Sequence, residues 1–318
     1  MIYPIIQHIG LFLLLICLSR VTIAMPQTQE TADEAIQKLY HKLQTKPTPL
    51  SKRLNQISAY FLNQPYENNS LGEGIHGKYD QFPLYRTDAF DCETYVDTVL
   101  AIALSDNLTE FKACINLIRY KNGQVAFMTR NHFTSLDWNT NNQQHGILKD
   151  ITHQLKDTNH QTVAVQSHTF INKPGWYAKL ASSRIRLVGK NTATHQQQHE
   201  HLKKRGQSLK AQLAKLSYIP RDALFDADKN PNMMLFEQIP DGAILEIVRP
   251  NWSLEDKIGT QLDVSHLGFV FRKKDILYFR HASLFDKKVV DTPLIDYLKK
   301  TLKSPTIKGI NLQVVISP

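Results

Sequence analysis

A chain of 318 residues with 42% hydrophobic and 21% charged side chains is long enough for one large domain or two small ones, and its composition excludes disorder along its whole length. The formal charge of +9 favours anionic partners such as cell wall, lipopolysaccharide, membrane surface or nucleic acid, although a basic surface also serves solubility alone. No arginine-rich stripe with interleaved aromatics and no RNA-binding signature accompanies the charge, so nucleic acid is not an expected partner.

The chain begins with "IGLFLLLICLSRVTIA", an apolar stretch too short to span a bilayer comfortably, and Thr22-Ile23-Ala24 offers a small-residue cleavage site. Residues 1–24 therefore read as a secretory signal, and the protein is expected to be periplasmic or secreted. The leading "MIYPIIQH" carries no Lys or Arg, which leaves an uncleaved anchor as the alternative. Cleavage removes Arg20 and Cys17, so the mature chain has one positive charge fewer and two cysteines, Cys92 and Cys114.

From residue 30 to 64 two amphipathic helices are expected, broken at "TKPTP", forming an N-terminal helical region over 25–64. A turn-rich loop with Gly72, Gly74 and Gly77 follows. Next come a helix at Cys92, a second through Tyr120, and a turn at Asn122-Gly123 into a strand "QVAFMTR". Between about 139 and 230, "QTVAVQSHTF" and "SSRIRLVGK" look like strands, and "HQQQHEHLKKRGQSLKAQLAKL" like a polar helix or a mobile segment. The runs "GAILEIVRP", "VSHLGFVF", "ILYFRHAS" and "GINLQVVI" read as strands. Helices early and strands late predict an α+β fold, and no internal repeat is evident.

Two cysteines in an oxidising compartment suggest one disulfide. Yet Phe111, Cys114, Ile115 and Ile118 follow helical spacing, which makes Cys114 a core thiol and singles out Cys92. In "RTDAFDCETYVDTVLAIAL" Asp91 is an N-cap candidate, which makes Cys92 the first helical residue. There the helix dipole lowers a thiol pKa against the opposing carboxylates of Asp91 and Glu93, and the Cys92 N–H is free to donate to an oxyanion.

A nucleophilic thiol needs a base, and "VSHLGFVFRKKDILYFRHAS" supplies two histidines. If the chain reverses at Lys273-Lys274, His266 and His281 lie directly opposite each other on one sheet face, Val270 pairs with Leu277 and Phe269 with Tyr278. The turn "RKKD" lacks glycine, and a slip of one residue would carry His281 to the other face. Taken singly these three residues are more often packing residues than catalysts; together they have the form of a nucleophile, base and orienter. "HQQQHEH" places His195 and His199 four apart, a spacing that can bind zinc, but it lacks an HExxH pattern and sits on a solvated face, so no metal is expected.

"FDCETYV" followed downstream by "VSHLGFVF" and "RHAS" resembles the NlpC/P60 superfamily of cell-wall cysteine amidases and peptidases, with its "DCSG", "HVGIY" and "IHA" motifs. More narrowly, "PYENNSLGEG", "YDQFPLYRTDAFDCETYVDTVLA", "IRYKNGQVAFMTRNHFTSLDW" and "IPDGAILEIV" resemble the DUF1460 branch, an N-acetylmuramoyl-L-alanine amidase-like family. The resemblance implies a papain-like fold over residues 65–318 with an insertion at about 139–230. It implies Cys92 as nucleophile, His266 as general base and His281 as the residue that orients it, with no metal or cofactor. The substrate class implied is small peptidoglycan fragments cut between N-acetylmuramic acid and L-alanine. The protein is then a monomer, free of the membrane after signal cleavage. Asp91 and Glu93 stand where the superfamily holds the free amine of an N-terminal L-alanine with Asp and Ser; Glu93 in place of Ser departs from the ordinary endopeptidases. Tyr66 matches the superfamily's "PY", and His132, Asp137 and Trp138 are candidates for contacting a sugar, with a core role for Trp138 and Phe133 as the alternative. Two rival functions remain open: an endopeptidase cutting within the stem peptide, and a non-catalytic wall-binding module.

Overall fold

The computed structural model describes residues 27–43 and 48–316, so the expected signal segment lies outside the described residues. Among those described, no helix is long and apolar enough to cross a membrane. Four helices come first: α1 (Gln29–Leu43), α2 (Leu50–Tyr60), α3 (Cys92–Ala103) and α4 (Leu108–Arg119). Eight strands follow: β1 (Leu148–Asp150), β2 (Val165–Ile171), β3 (Gln212–Pro220), β4 (Ala243–Trp252), β5 (Leu262–Lys273), β6 (Ile276–Ser283), β7 (Lys288–Pro293) and β8 (Gly309–Val315). They form one antiparallel sheet in the order β2-β3-β8-β4-β5-β6-β7, with β1 also paired to β8. The architecture is the α+β class read from the sequence.

Alternation along the strands gives the sheet two apolar faces. Leu267, Phe269, Phe271, Ala282 and Val289 join a core with all four helices, while Val270, Leu277, Phe279, Leu245 and Ile310 join a second core with the helix Leu294–Thr301. The N-terminal helices are thus part of the first core: Tyr95 Oη donates to the Ser58 carbonyl at 3.0 Å, and the buried Arg280 guanidinium on β6 donates to Ser58 Oγ at 2.8 Å and to the Asn55 carbonyl at 2.9 Å. The segment expected as an insertion supplies β2 and β3, which extend the same sheet through β8.

Two expected strands are absent. "QVAFMTR" folds as a short 3-10 turn at Phe127–Thr129, and "SSRIRLVGK" as a 3-10 turn at Ser182–Arg184 followed by an isolated bridge between Arg186 and Asp80. In both, basic side chains are drawn to buried carboxylates. Arg130 pairs with Glu73 and Asp80, and Arg186 with Asp80, so these stretches clamp the glycine-rich loop instead of joining a ladder. Gly72 fits there because a Cβ would stand 2.5 Å from Asp80 Oδ1.

The β5–β6 hairpin differs from the expected register by two residues: Lys273 pairs with Ile276, Val270 with Phe279 and Phe269 with Arg280. The turn is Lys274-Asp275, both at positive φ (47° and 67°), the left-handed pair that a two-residue hairpin loop requires. A two-residue slip preserves the faces, so His266 and His281 remain on one side, but diagonal instead of directly opposed.

Glu246 on β4 is fully buried and accepts from Asn139 Nδ2 at 3.1 Å and Gln313 Nε2 at 3.4 Å. Burial pushes its carboxyl up to about 8. A folded-state pKa raised above the unfolded value gives a contribution that is complete below about pH 4.5 and is lost as pH rises through 8. Glu246→Gln is therefore expected to change stability little near pH 5 and to stabilise the protein by up to roughly 4 kcal/mol above pH 8. Urea melts of the two proteins across that range test it; parallel curves refute it.

Candidate active site

Asp91 caps α3 with a reciprocal box: its Oδ1 accepts from the Thr94 N–H at 2.9 Å, and Thr94 Oγ1 accepts from the Asp91 N–H at 2.9 Å. Cys92 is thereby the first residue of a helix whose residues from Thr94 to Ala103 are all buried. Its sulfur hydrogen-bonds to the backbone of Glu93 and of Leu267, the residue after His266 on β5. Cys92 and Cys114 are both free, so the disulfide alternative does not hold; Cys114 packs against the helical core.

The two histidines meet. His266 Nε2 lies 2.7 Å from His281 Nδ1, with the rings nearly perpendicular, and His281 Nε2 lies 3.4 Å from Thr292 Oγ1 on β7. Gly268 makes the crossing possible, since a Cβ there would stand 2.8 Å from that of His281 and 2.6 Å from the Arg280 carbonyl oxygen. The β4–β5 ladder shifts register between Ile247, which pairs with His266, and Val248; such a bulge bends a strand and turns its side chains. Tyr297 stacks on His266 with ring centroids 6.2 Å apart, and burial first, then the proximity of Cys92, opposes its ionisation, so this tyrosine neighbours both the imidazole and the sulfur.

Electrostatics depart from the sequence expectation. The Cys92 thiol is pushed up, first by burial and then by Asp91 and Glu93, so the helix dipole does not prevail and the resting thiol is protonated. Burial pushes His266 down to about 3, helped by His281, and His281 down to about 4, partly offset by Asp291. All three groups are neutral near pH 7.

Two concavities flank this centre. A cavity of about 250 Å³ on the Cys92 side is lined by Tyr66, Asn69, Glu93, Arg130, His132, Trp176 and Arg184, among others. A groove of about 540 Å³ on the imidazole side is lined by Arg249, Trp252, His266, His281, Phe285 and Tyr297, among others. Of the substrate-contacting residues expected from sequence, Tyr66, Asp91, Glu93 and His132 line the cavity. Asp137 and Trp138 line neither space. Trp138 is fully buried and donates its Nε1–H to Asp97 Oδ1 at 2.8 Å, so it is a core residue and not a sugar platform; Asp137 is bound to Lys173 Nζ at 2.6 Å. The HQQQHEH histidines diverge: His195 and His199 each bind a separate carbonyl, of Leu187 and Leu180, and His201 binds Tyr79 Oη. Among the described residues no group of His, Cys, Asp and Glu has the arrangement of a metal site. Sequence reading missed Trp176, Arg184, Tyr297 and Thr292, which sit in segments whose local pattern carries no chemical signature.

Perturbed titratable groups gathered in a cleft at a helix head mark a candidate functional site in this α+β protein. A family model for N-acetylmuramoyl-L-alanine amidase-like proteins matches residues 56–307, and the chain belongs to that family: it is an amidase-like hydrolase. A solved structure from Legionella pneumophila described as DUF1460 is 49% identical, with 91% of this chain and 97% of that one covered and a TM-score of 0.88. An N-acetylmuramoyl-L-alanine amidase from Bacteroides uniformis is 25% identical over 84% of this chain and 98% of its own, TM-score 0.56. A Bacteroides fragilis protein described as a putative xylanase shares the fold at 24% identity, covering 81% of this chain and 99% of its own, TM-score 0.56. None of the curated proteins compared matches the chain.

Proposed function

We propose that the protein is an exported, papain-like cysteine amidase of the NlpC/P60 type that hydrolyses the amide between N-acetylmuramic acid and L-alanine in peptidoglycan fragments. The observation that carries the reading is the 2.7 Å contact between His266 and His281, on the strand whose Leu267 backbone bonds the Cys92 sulfur.

The hydrogen-bond chain suggests the tautomers. With His281 donating Nε2–H to Thr292 Oγ1 and accepting at Nδ1 from His266 Nε2–H, the lone pair of His266 is at Nδ1, where it takes the Cys92 proton as sulfur attacks the amide carbonyl. The developing oxyanion is met by the Cys92 N–H at the helix terminus and by the phenol of Tyr66, which burial above all keeps protonated. The imidazolium then returns its proton to the departing alanine nitrogen, leaving a thioester that water, activated by the same ring, hydrolyses. Asp91 is spent on the cap, and its Oδ2 accepts from the Asn69 N–H at 3.4 Å, which argues against its holding a free amine as in the endopeptidases. The amide then lies with its sugar toward the groove of Trp252 and Phe285 and its peptide toward the cavity of Trp176 and Arg184.

Incubation with N-acetylmuramoyl-L-alanyl peptides, followed by mass analysis, is expected to yield free N-acetylmuramic acid and a peptide beginning with L-alanine. Alanine left on the sugar would instead identify an endopeptidase, and absence of cleavage across several muropeptides would overturn the reading altogether.

A further inference from the structure

We infer that the cavity beside Cys92 contains an anion site centred on the Arg184 guanidinium, which takes a carboxylate carried by the residue after L-alanine in the substrate peptide. The inference rests on the proposed function only for which part of the substrate enters this cavity.

Arginines crowd here, and their partners divide unequally. Arg130 is paired with Glu73 and Asp80, Arg186 with the same Asp80, and Arg119 stands 3.7 Å from Asp97. Arg184 forms no ion pair among the described residues: its Nη1 donates to Asn69 Oδ1, and its buried Nε has no hydrogen-bond partner. Burial and the adjacent Arg130 and Arg186 lower its pKa to about 10, only partly offset by Asp80 and Asp91, which leaves it charged at neutral pH. A desolvated cation beside two others is unfavourable until an anion joins it, and a guanidinium fork with an uncommitted Nε suits two carboxylate oxygens.

The other titratable groups of the cavity form no direct ion pair with it. Both Asp91 oxygens accept from backbone N–H groups, of Thr94 and Asn69. Glu93 is pushed well up by burial, then by Asp97 and Asp91, which disfavours its charged form. His132 is pushed down by burial and by Arg130 and Arg184, and stays uncharged. Its ring lies 4.7 Å from that of Trp176, and the two add an uncharged wall to the cavity. A peptide whose second residue is acidic would present its carboxylate to Arg184 while its alanine nitrogen departs toward His266.

Calorimetric titration of the protein with the dipeptide L-alanyl-D-glutamate and with its diamide tests the site without requiring turnover. The acid is expected to bind at least tenfold more tightly than the diamide, and more weakly as salt is raised. Arg184→Gln is expected to remove that preference, a loss of roughly 30-fold in acid binding, while Arg184→Lys, which keeps the charge without the fork, retains part of it. Equal binding of acid and diamide, binding of neither, or a preference surviving in Arg184→Gln each overturns the anion site. Should Arg184→Gln fail to fold, full wild-type preference in Arg184→Lys overturns the forked recognition. Preference for the acid in a protein that cleaves no muropeptide would instead refute the proposed reaction and leave the site standing.

Discussion

Cys92→Ala is expected to lower kcat/KM for an N-acetylmuramoyl-L-alanyl peptide by at least about 10⁴-fold, and His266→Ala by at least about 10³-fold, with binding of the uncleaved substrate nearly unchanged. In the proposed mechanism the first variant loses the atom that forms the acyl-enzyme. The second keeps a protonated thiol with no group to receive its proton. His281→Gln should be milder, roughly 10- to 100-fold, because His266 retains its own ring nitrogen and loses only the partner 2.7 Å away that fixes its orientation. Being a positioning effect, that loss should fall on kcat and not on KM. Combining His266→Ala with Cys92→Ala should cost hardly more than Cys92→Ala alone, since the two act as one unit. Turnover by Cys92→Ala within tenfold of wild type would remove the cysteine mechanism while leaving the family assignment untouched.

The residues that could be found in advance were those whose local chemistry is self-declaring. Asp91 is a cap whether or not the rest of the chain is known, because a side-chain acceptor ahead of a long apolar run has one local use, and the box with Thr94 realises it. His266 and His281 were found because strand periodicity keeps alternate residues on one face, and that parity survives an error of two in register, though it would not survive an error of one. The error itself came from the turn: without a glycine, nothing local distinguishes a reversal at Lys273-Lys274 from one at Lys274-Asp275, where both residues accept positive φ.

What could not be read was decided by tertiary partners. "QVAFMTR" has the composition of a strand, yet Arg130 is drawn to Glu73 and Asp80 some fifty residues earlier in the chain, and that pairing overrides propensity. Trp138 has the look of a sugar platform until Asp97, inside α3, takes its N–H. Arg184 comes from a stretch that reads as a strand and Trp176 from one with no chemical signature, so their presence at the cavity follows only from the fold. The sign of the thiol shift is the same kind of quantity: the dipole is a local feature, but the burial that outweighs it is a property of the whole core.

That sign makes the last prediction. A thiolate–imidazolium pair would form if the thiol were lowered and the imidazole raised; here Cys92 is raised by burial, Asp91 and Glu93, while His266 is lowered to about 3 and His281 to about 4. Alkylation by iodoacetamide needs the thiolate, so at pH 7 Cys92 should react more slowly than a free cysteine. Its rate should climb about tenfold per pH unit up to at least pH 9, without the plateau from pH 5 to 8 that a preformed ion pair gives. Hydrolysis follows a different limb. It needs His266 unprotonated, with His281 free to accept from it, so kcat/KM should fall only as pH drops through about 4 toward about 3, with no inflection near 6.5 where an ordinary histidine titrates. Glu93→Gln removes one of the two acidic groups that oppose the thiolate and should speed alkylation at pH 8, while leaving the acid limb in place, because neither histidine owes its shift to Glu93. A pH-independent alkylation rate across the neutral range would mean that the sulfur is already ionised, and the proton transfer assigned to His266 during attack would then have no proton to move.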